Sequence, residues 1–309
     1  MHTSPPQRAG WPALVFLAPA LLVYTAFSAW PLADTLRLGL YATDEHGHMA
    51  FAGLENFRRL LLDEQWFGAF TRALANNVEF FIIHSLVQNP IALVLAALLS
   101  LKGVRGAAAY RTVLFLPTLL SVVIIGFAWQ LILSPLWGVA EKLLGFVGLQ
   151  DAFAPWLGME ETALPTLALI SVWQFVGIPM MLIYAALIAI PEEVIEAATV
   201  EGAGPWRIFW AIRLPLILPT LGLVNILTFV GNFNAFDLIY AVKGALAGPN
   251  YSTDLLGTLF YRTFFGYQSQ VGSATMGAAL ATLMFLVILG GVGVYLVFVQ
   301  RRLRRVAAT

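Results

Sequence analysis

Cysteine is missing from the 309-residue chain, which excludes disulfides, thiolate metal sites and cysteine nucleophiles. Charge is scarce: 11% of the residues are Asp, Glu, Lys or Arg, against roughly 25% in a soluble average. The formal net charge is zero, so the bulk balance points neither to nucleic acid nor to an acidic partner. The lysines are Lys102, Lys142 and Lys243, and none follows a glycine. The phosphate-cradling pattern G-x-x-x-x-G-K-[ST] is therefore absent, and any ATP-driven work falls to another subunit. The sequence also has no low-complexity linker, separate domain or clear internal repeat.

What is abundant is apolar length. Hydrophobic residues make up 60% of the chain, and six runs approach the roughly 20 helical residues needed to cross about 30 Å of hydrocarbon. They lie near 11–32, 77–101, 112–133, 163–190, 214–235 and 276–299. The runs are continuous and not alternating, which favours helices over barrel strands. The expected fold is all-α: one polytopic transmembrane domain over 1–309, with six membrane helices and one polar inner loop. A cleaved secretory signal is the competing reading of the first run, since Ala26-Phe27-Ser28 resembles a small-residue cleavage site. That run is longer than a signal core and is preceded by one arginine, so it is expected to be retained.

Lys and Arg set the orientation. Ten of the seventeen fall at one set of ends: Arg8; Lys102, Arg105 and Arg111; Arg207 and Arg213; and Arg301, Arg302, Arg304 and Arg305. The other seven, Arg37, Arg58, Arg59, Arg72, Lys142, Lys243 and Arg262, are spread over longer loops at about a third of the density. The positive-inside rule predicts that both termini and the segment around 191–213 face the cytoplasm. In the first outer loop, Leu60, Leu61, Trp66, Phe67 and Phe70 recur at near-helical spacing and are expected to lie at the interface.

The segment Pro191–Pro215, PEEVIEAATVEGAGPWRIFWAIRLP, is too polar to span and too short to be a domain. Pro191 suits a first helical position, and Glu192 and Glu193 complement the dipole of a first turn. Val194, Ile195, Ala198 and Val200 give that short helix an apolar side. Gly202 and Gly204 permit a bend, and Pro205 restarts a second helix with Trp206, Phe209 and Ile212. Periodicity alone also fits an amphipathic hairpin resting on the membrane, anchored by Trp206, Arg207 and Arg213.

The spacing of Glu196-Ala197-Ala198, Gly202 and Ile212-Arg213-Leu214-Pro215 resembles the EAA motif in membrane subunits of binding-protein-dependent ABC importers. The likeness runs from Leu14 to the C-terminus and is strongest with the carbohydrate branch, the maltose and glycerol-phosphate type. Phe51–Phe57 (FAGLENF), Tyr110–Pro117 (YRTVLFLP), Ala186–Pro191 (ALIAIP), Phe236–Tyr240 (FDLIY) and Gly248-Pro249-Asn250 carry it. Two positions depart from the branch: Glu201 stands where Asp is common, and Ala245-Leu246-Ala247 replaces a glycine run.

The resemblance implies a type I importer permease whose loop 191–213 docks in a cleft on an ATP-binding subunit. Glu196, Ala197, Ala198, Glu201, Gly202, Ala203 and Phe209 would make that contact. It implies no cofactor in this chain, with ATP and magnesium held by the partner ATPase. The implied partners are a second permease subunit, two ATP-binding subunits, an extracytoplasmic solute-binding protein and membrane lipid, in a bacterial or archaeal cell membrane. The Arg-rich C-terminus lacks the Gly-rich tail of the companion type, so the chain resembles the first of two non-identical permeases.

For the solute path, polar and aromatic residues within spans are the candidates, because polarity there is costly. These are Trp129 and Gln130, Trp173 and Gln174, and the cluster Asn232, Asn234, Phe236 and Asp237. Flat aromatics beside amides suit the ring faces and hydroxyls of a carbohydrate. His84 and Glu79 permit a proton relay, but His84 reads better as a bonded helix contact and Glu79 as an interface residue. His46 and His48 lack a third ligand nearby and are read as loop residues. The rival function, an ion-coupled secondary transporter for a small polar solute, calls for repeated halves and buried coupling carboxylates, which are not evident. An intramembrane enzyme would need a catalytic constellation that the spans do not supply.

Overall fold

A computed structural model describes residues 11–43, 48–268 and 271–300. Arg8, His46, Arg301, Arg302, Arg304 and Arg305 lie outside the described residues. The described residues form a helical bundle with one small hairpin, in which β1 (Tyr41–Thr43) pairs antiparallel with β2 (Met49–Phe51) and Tyr41 faces Phe51. Among the described residues four helices are long and apolar enough to cross a membrane, and six if each of two bent pairs is one span.

Prolines shape three of these helices in the same way. The first runs α1 (Trp11–Tyr24), a π turn (Thr25–Ala29) and α2 (Trp30–Leu38). The second runs α4 (Glu64–Ile83), a π turn (His84–Gln88) and α5 (Asn89–Leu99). Ahead of the fifth, α12 (Pro205–Ile208) and a π turn (Phe209–Arg213) lead into α13 (Leu214–Phe233). Each turn ends two residues before a proline, namely Pro31, Pro90 and Pro215. A proline ring collides with the carbonyl four residues back and offers no N–H. The turn ahead of it widens, so that Trp30, Asn89 and Leu214 bond back to Thr25, His84 and Phe209.

Several expected boundaries need correction. The second helix begins at Glu64 and not near Asn77, because Asp63 caps it by accepting from the Gln65 and Trp66 amides at 3.1 and 3.4 Å. Trp66, Phe67 and Phe70 therefore continue that helix, while Leu60 and Leu61 sit on a separate short helix, α3 (Glu55–Leu62). The third run is not one helix. α6 (Ala107–Phe115) and a short 3₁₀ turn to Leu119 meet α7 (Val122–Ile132) at 95°, broken around Leu120 and Ser121. The fourth bends by 45° between α9 (Glu160–Phe175) and α10 (Gly177–Ile188). At that bend a Cβ on Gly177 would come within 2.9 Å of the Phe115 backbone, so only glycine lets α6 approach. The second helix expected after Gly204 is not separate but the opening of the fifth span.

Three apolar clusters hold the bundle. One joins α4, α7 and α9 to α14 (Asp237–Lys243) through Phe80, Ile125, Leu167 and Ile239. A second packs α3 and α4 against α15 (Leu256–Phe265) and α16 (Ala274–Val294) through Leu60, Phe70, Leu259 and Leu280. The third packs α5, α10 and α13 through Ala96, Met180, Ile183 and Ile217. The remaining short helix before α9, α8 (Val139–Phe146), lies between α7 and the 3₁₀ turns of the third loop.

Candidate functional site

Two regions stand out. The first is the polar insert. α11 (Glu192–Val200) starts one residue after Pro191, which holds the extended N-cap position and not the first helical position expected; Glu192 and Glu193 fill the first turn, and Glu192 pairs with Lys102 on the loop between spans two and three. It closes on Gly202, whose φ of +84° disfavours any L side chain. The Gly202 amide donates to Thr199 O at 3.0 Å and the Ala203 amide to Ala198 O at 2.9 Å, the double bond of a Schellman cap. The bend expected at Gly202 is thus a helix stop of fixed geometry.

The apolar side expected for α11 is not buried as a unit. Ala198 is buried, but Val200 is 89% exposed, and Glu196, Ala197, Glu201 and Gly202 are exposed as well. Ala203 and Phe209 are half-buried. Trp206 is exposed too, stacked edge-on with Trp210 at 5.5 Å. An exposed apolar patch interleaved with carboxylates has the character of a surface that another body covers.

The second region is a cavity of about 430 Å³ between the middle of span two, the bend of span four and the end of span five. Phe80, His84 and Gln88 come from span two; Ser171 and Phe175 from α9; Pro179 from α10. Asn232, Asn234, Phe236 and Asp237 line it from the end of span five and the start of α14. The predicted cluster is thus gathered at one place. The Asn232 and Asn234 amides donate to Thr228 O and Val230 O, each at 2.8 Å, which fixes their orientation. A second cavity of about 530 Å³ shares Asn234 and Phe236 and runs past Tyr261 to Met284 and Phe285.

Trp129, Gln130, Trp173 and Gln174 line neither cavity. Trp129 and Trp173 pack edge-to-face at 5.6 Å. Gln130 donates to Val242 O at 2.8 Å and pins α7 to α14. Gln174 is fully buried and its side-chain amide donates to Leu120 O at 3.2 Å, while its main-chain carbonyl accepts from Thr118 Oγ1 at 3.0 Å. It satisfies backbone freed by the break in the third span, a role that the apolar run gave no reason to expect. His84 bridges helices as expected, meeting Phe80 O at 2.8 Å and Ser171 Oγ at 3.0 Å, and it also lines the cavity.

Sequence reasoning missed the lattice that holds the cavity's far wall. Asn77 donates to Asn232 O and accepts from the Leu256 amide, both at 2.8 Å. Beyond it, Arg262 and Asp254 form a buried two-pronged pair at 2.6 and 3.2 Å. Arg262 also donates to Ala245 O at 2.8 Å and lies over the Tyr251 ring, 5.0 Å from its centre. The Ala245–Ala247 segment that replaces the expected glycines is buried at both alanines, and Ala247 has φ +46°.

Comparison with known proteins agrees with this architecture. Residues 88–305 match the family model "Binding-protein-dependent transport system inner membrane component". A probable ABC transporter permease protein, YurN of Bacillus subtilis, is 32% identical over 274 residues, covering 86% of this chain and 91% of that one. The lactose transport system permease protein LacF of Rhizobium radiobacter is 29% identical, covering 90% and 91%. In fold, the chain matches a subunit of a bacterial alginate ABC transporter, solved with an alginate pentasaccharide-bound periplasmic protein, with a TM-score of 0.76 at 24% identity and coverage of 97% and 96%. The chain belongs to the family of inner-membrane components of binding-protein-dependent transport systems.

Proposed function

We propose that this chain is one of two non-identical permeases forming the path of an ATP-driven importer for a sugar or related carbohydrate. The partners are a second permease, two ATP-binding subunits and an extracytoplasmic binding protein that delivers the solute. ATP and magnesium act in the ATP-binding subunits, since this chain carries no phosphate loop. Both termini and the 191–213 loop face the cytoplasm of a bacterial or archaeal cell. The observation that carries the reading is the exposed element from Glu196 to Gly202: a capped, short helix with uncovered Val and Glu side chains, on a chain without a motor.

Transport is then a shift between inward-open and outward-open states. Closure of the ATP-binding subunits moves α11, and α11 moves as a rigid body because its cap fixes the exit of the chain. Glu196, Ala197, Ala198, Glu201, Gly202, Ala203 and Phe209 form the docking contact. Asn232, Asn234, Phe236 and Asp237 receive the solute, offering amides and a carboxylate to hydroxyls and an aromatic face to the ring. The likeness to a lactose permease supports the carbohydrate class.

The test is to purify the chain with its partners and reconstitute them in liposomes. Loaded binding protein should stimulate ATP hydrolysis several-fold and drive solute uptake. Uptake by this chain alone, driven by an ion gradient without ATP, would overturn the reading.

A further inference from the structure

Span two contributes a residue to the cavity that no motif marks. The π turn at His84–Gln88, widened ahead of Pro90, brings His84 and Gln88 onto the cavity wall, with exposures of 3% and 5%. Such turns recur at functional sites because the extra residue re-aims side chains. His84 has both ring nitrogens engaged, by Phe80 O and Ser171 Oγ. Gln88 differs. Its Nε2 donates to Phe175 O at 3.4 Å, which orients the flat amide, and its Oε1 has no partner.

Four buried side-chain polar atoms lack a partner among the described residues: Gln88 Oε1, Gln174 Oε1, Ser252 Oγ and Thr263 Oγ1. Only Gln88 belongs to a residue lining the cavity. A buried acceptor left unmade is costly, and the cost is recovered when a donor arrives. Phe175 lines the same wall, so an acceptor and an aromatic ring lie side by side. That pairing suits a hydroxyl next to the apolar face of a sugar ring.

We propose that Gln88 is a specificity-determining residue whose carboxamide oxygen accepts a hydrogen bond from one hydroxyl of the transported carbohydrate. The proposal rests on the carbohydrate reading above and adds a contact from span two to the predicted span-five cluster. It also gives the π turn a purpose: without the extra residue, the amide would lie on a different face of the helix.

The test uses the complete importer in liposomes with its binding protein. Uptake of radiolabelled lactose, maltose and sn-glycerol 3-phosphate is measured, followed by the monodeoxy analogues of whichever is carried. Wild type is compared with Gln88→Met, which keeps the length of the side chain and removes its amide. The binding protein's own preferences cancel in the ratio of the two importers. The expected result is that removing one particular hydroxyl slows wild-type uptake at low solute by about tenfold and leaves Gln88→Met indifferent to that position. The variant's half-saturating concentration for the parent sugar should rise by a similar factor. If Gln88→Met does not assemble, Gln88→Asn withdraws the amide by one methylene and should show the same position-specific loss. A sugar that is carried with no position-specific difference in either variant overturns the role of Gln88 alone. A wild-type importer that carries none of the three probes but moves another class of solute overturns the carbohydrate reading, and this proposal with it.

Discussion

The two ends of the bundle are built on opposite plans. Around 245–265 the chain turns inward: Asp254, Arg262, Thr258 and Asn77 exchange buried hydrogen bonds, Leu255, Leu256 and Leu259 are almost wholly covered, and only the Ser252 and Thr263 hydroxyls are buried without a partner among the described residues. Around 191–213 the chain stays open, with Val200, Trp206 and four motif residues on the surface and one exposed ion pair, Lys102 to Glu192. An end bonded mostly to itself can serve as a fixed frame. An end that leaves apolar and acidic groups uncovered has surface free for another body, which is what the docking proposal requires. The segments are similar in length, but 191–213 carries six charged side chains and 245–265 only Asp254 and Arg262, which it buries against each other.

Substitutions at the two ends should therefore fail differently. The largest effect is expected from Gly202→Pro, which cannot adopt φ +84° and loses the bond to Thr199 O. Uptake and stimulated ATP hydrolysis should fall to background, while the thermal unfolding midpoint of the membrane domain stays near that of wild type. Wild-type uptake from that variant would sink the docking role of the loop. Next comes Arg262→Met, which strands the Asp254 carboxylate at 2% exposure. Breaking one partner of a buried pair costs about 3–5 kcal/mol. This should show as a clear loss of stability in detergent, and replacing Asp254 with Leu in the same chain should restore much of it. An unfolding midpoint unchanged by Arg262→Met would remove the distinction between the two ends. The smallest effect is expected for Lys102→Gln, because both partners of its ion pair are largely exposed, at 81% and 55%. No measurable change in unfolding is expected, and a large one would mean that the loop end is more self-reliant than its exposure indicates.

Much of this was legible from residue order. The apolar runs located six helical regions, Gly202 and Pro191 marked both ends of α11, and Asn232 to Asp237 were picked out as a cluster that the fold then gathers round one cavity. Hydropathy failed where the physics is not local. The run at 112–133 is largely apolar, so nothing in its composition signals a 95° break at which the Leu120 carbonyl is met by Gln174, more than fifty residues away. Gln88 and Gln174 are both amides in apolar stretches. Only packing separates the one that lines a cavity from the one that repairs a helix break. The 254–262 pair likewise needed the chain to fold back before a loop arginine became a buried one.

The repeated π turns carry one more consequence. Each inserts a single residue into a helix of 3.6 residues per turn and so rotates everything beyond it by about 100°. A helix bearing such an insertion has two independent angular settings, one on each side of the turn. In span two this lets the α4 half aim Phe70 and Asn77 at α15 and α16 while the α5 half aims Ala92 and Ala96 at α10. A helical wheel drawn straight through residues 64–99 would merge those two faces into one blurred stripe. Deleting one residue within 84–88 would then act like turning a key. The α5 half would be re-phased against its neighbours without any change in the hydropathy of the span.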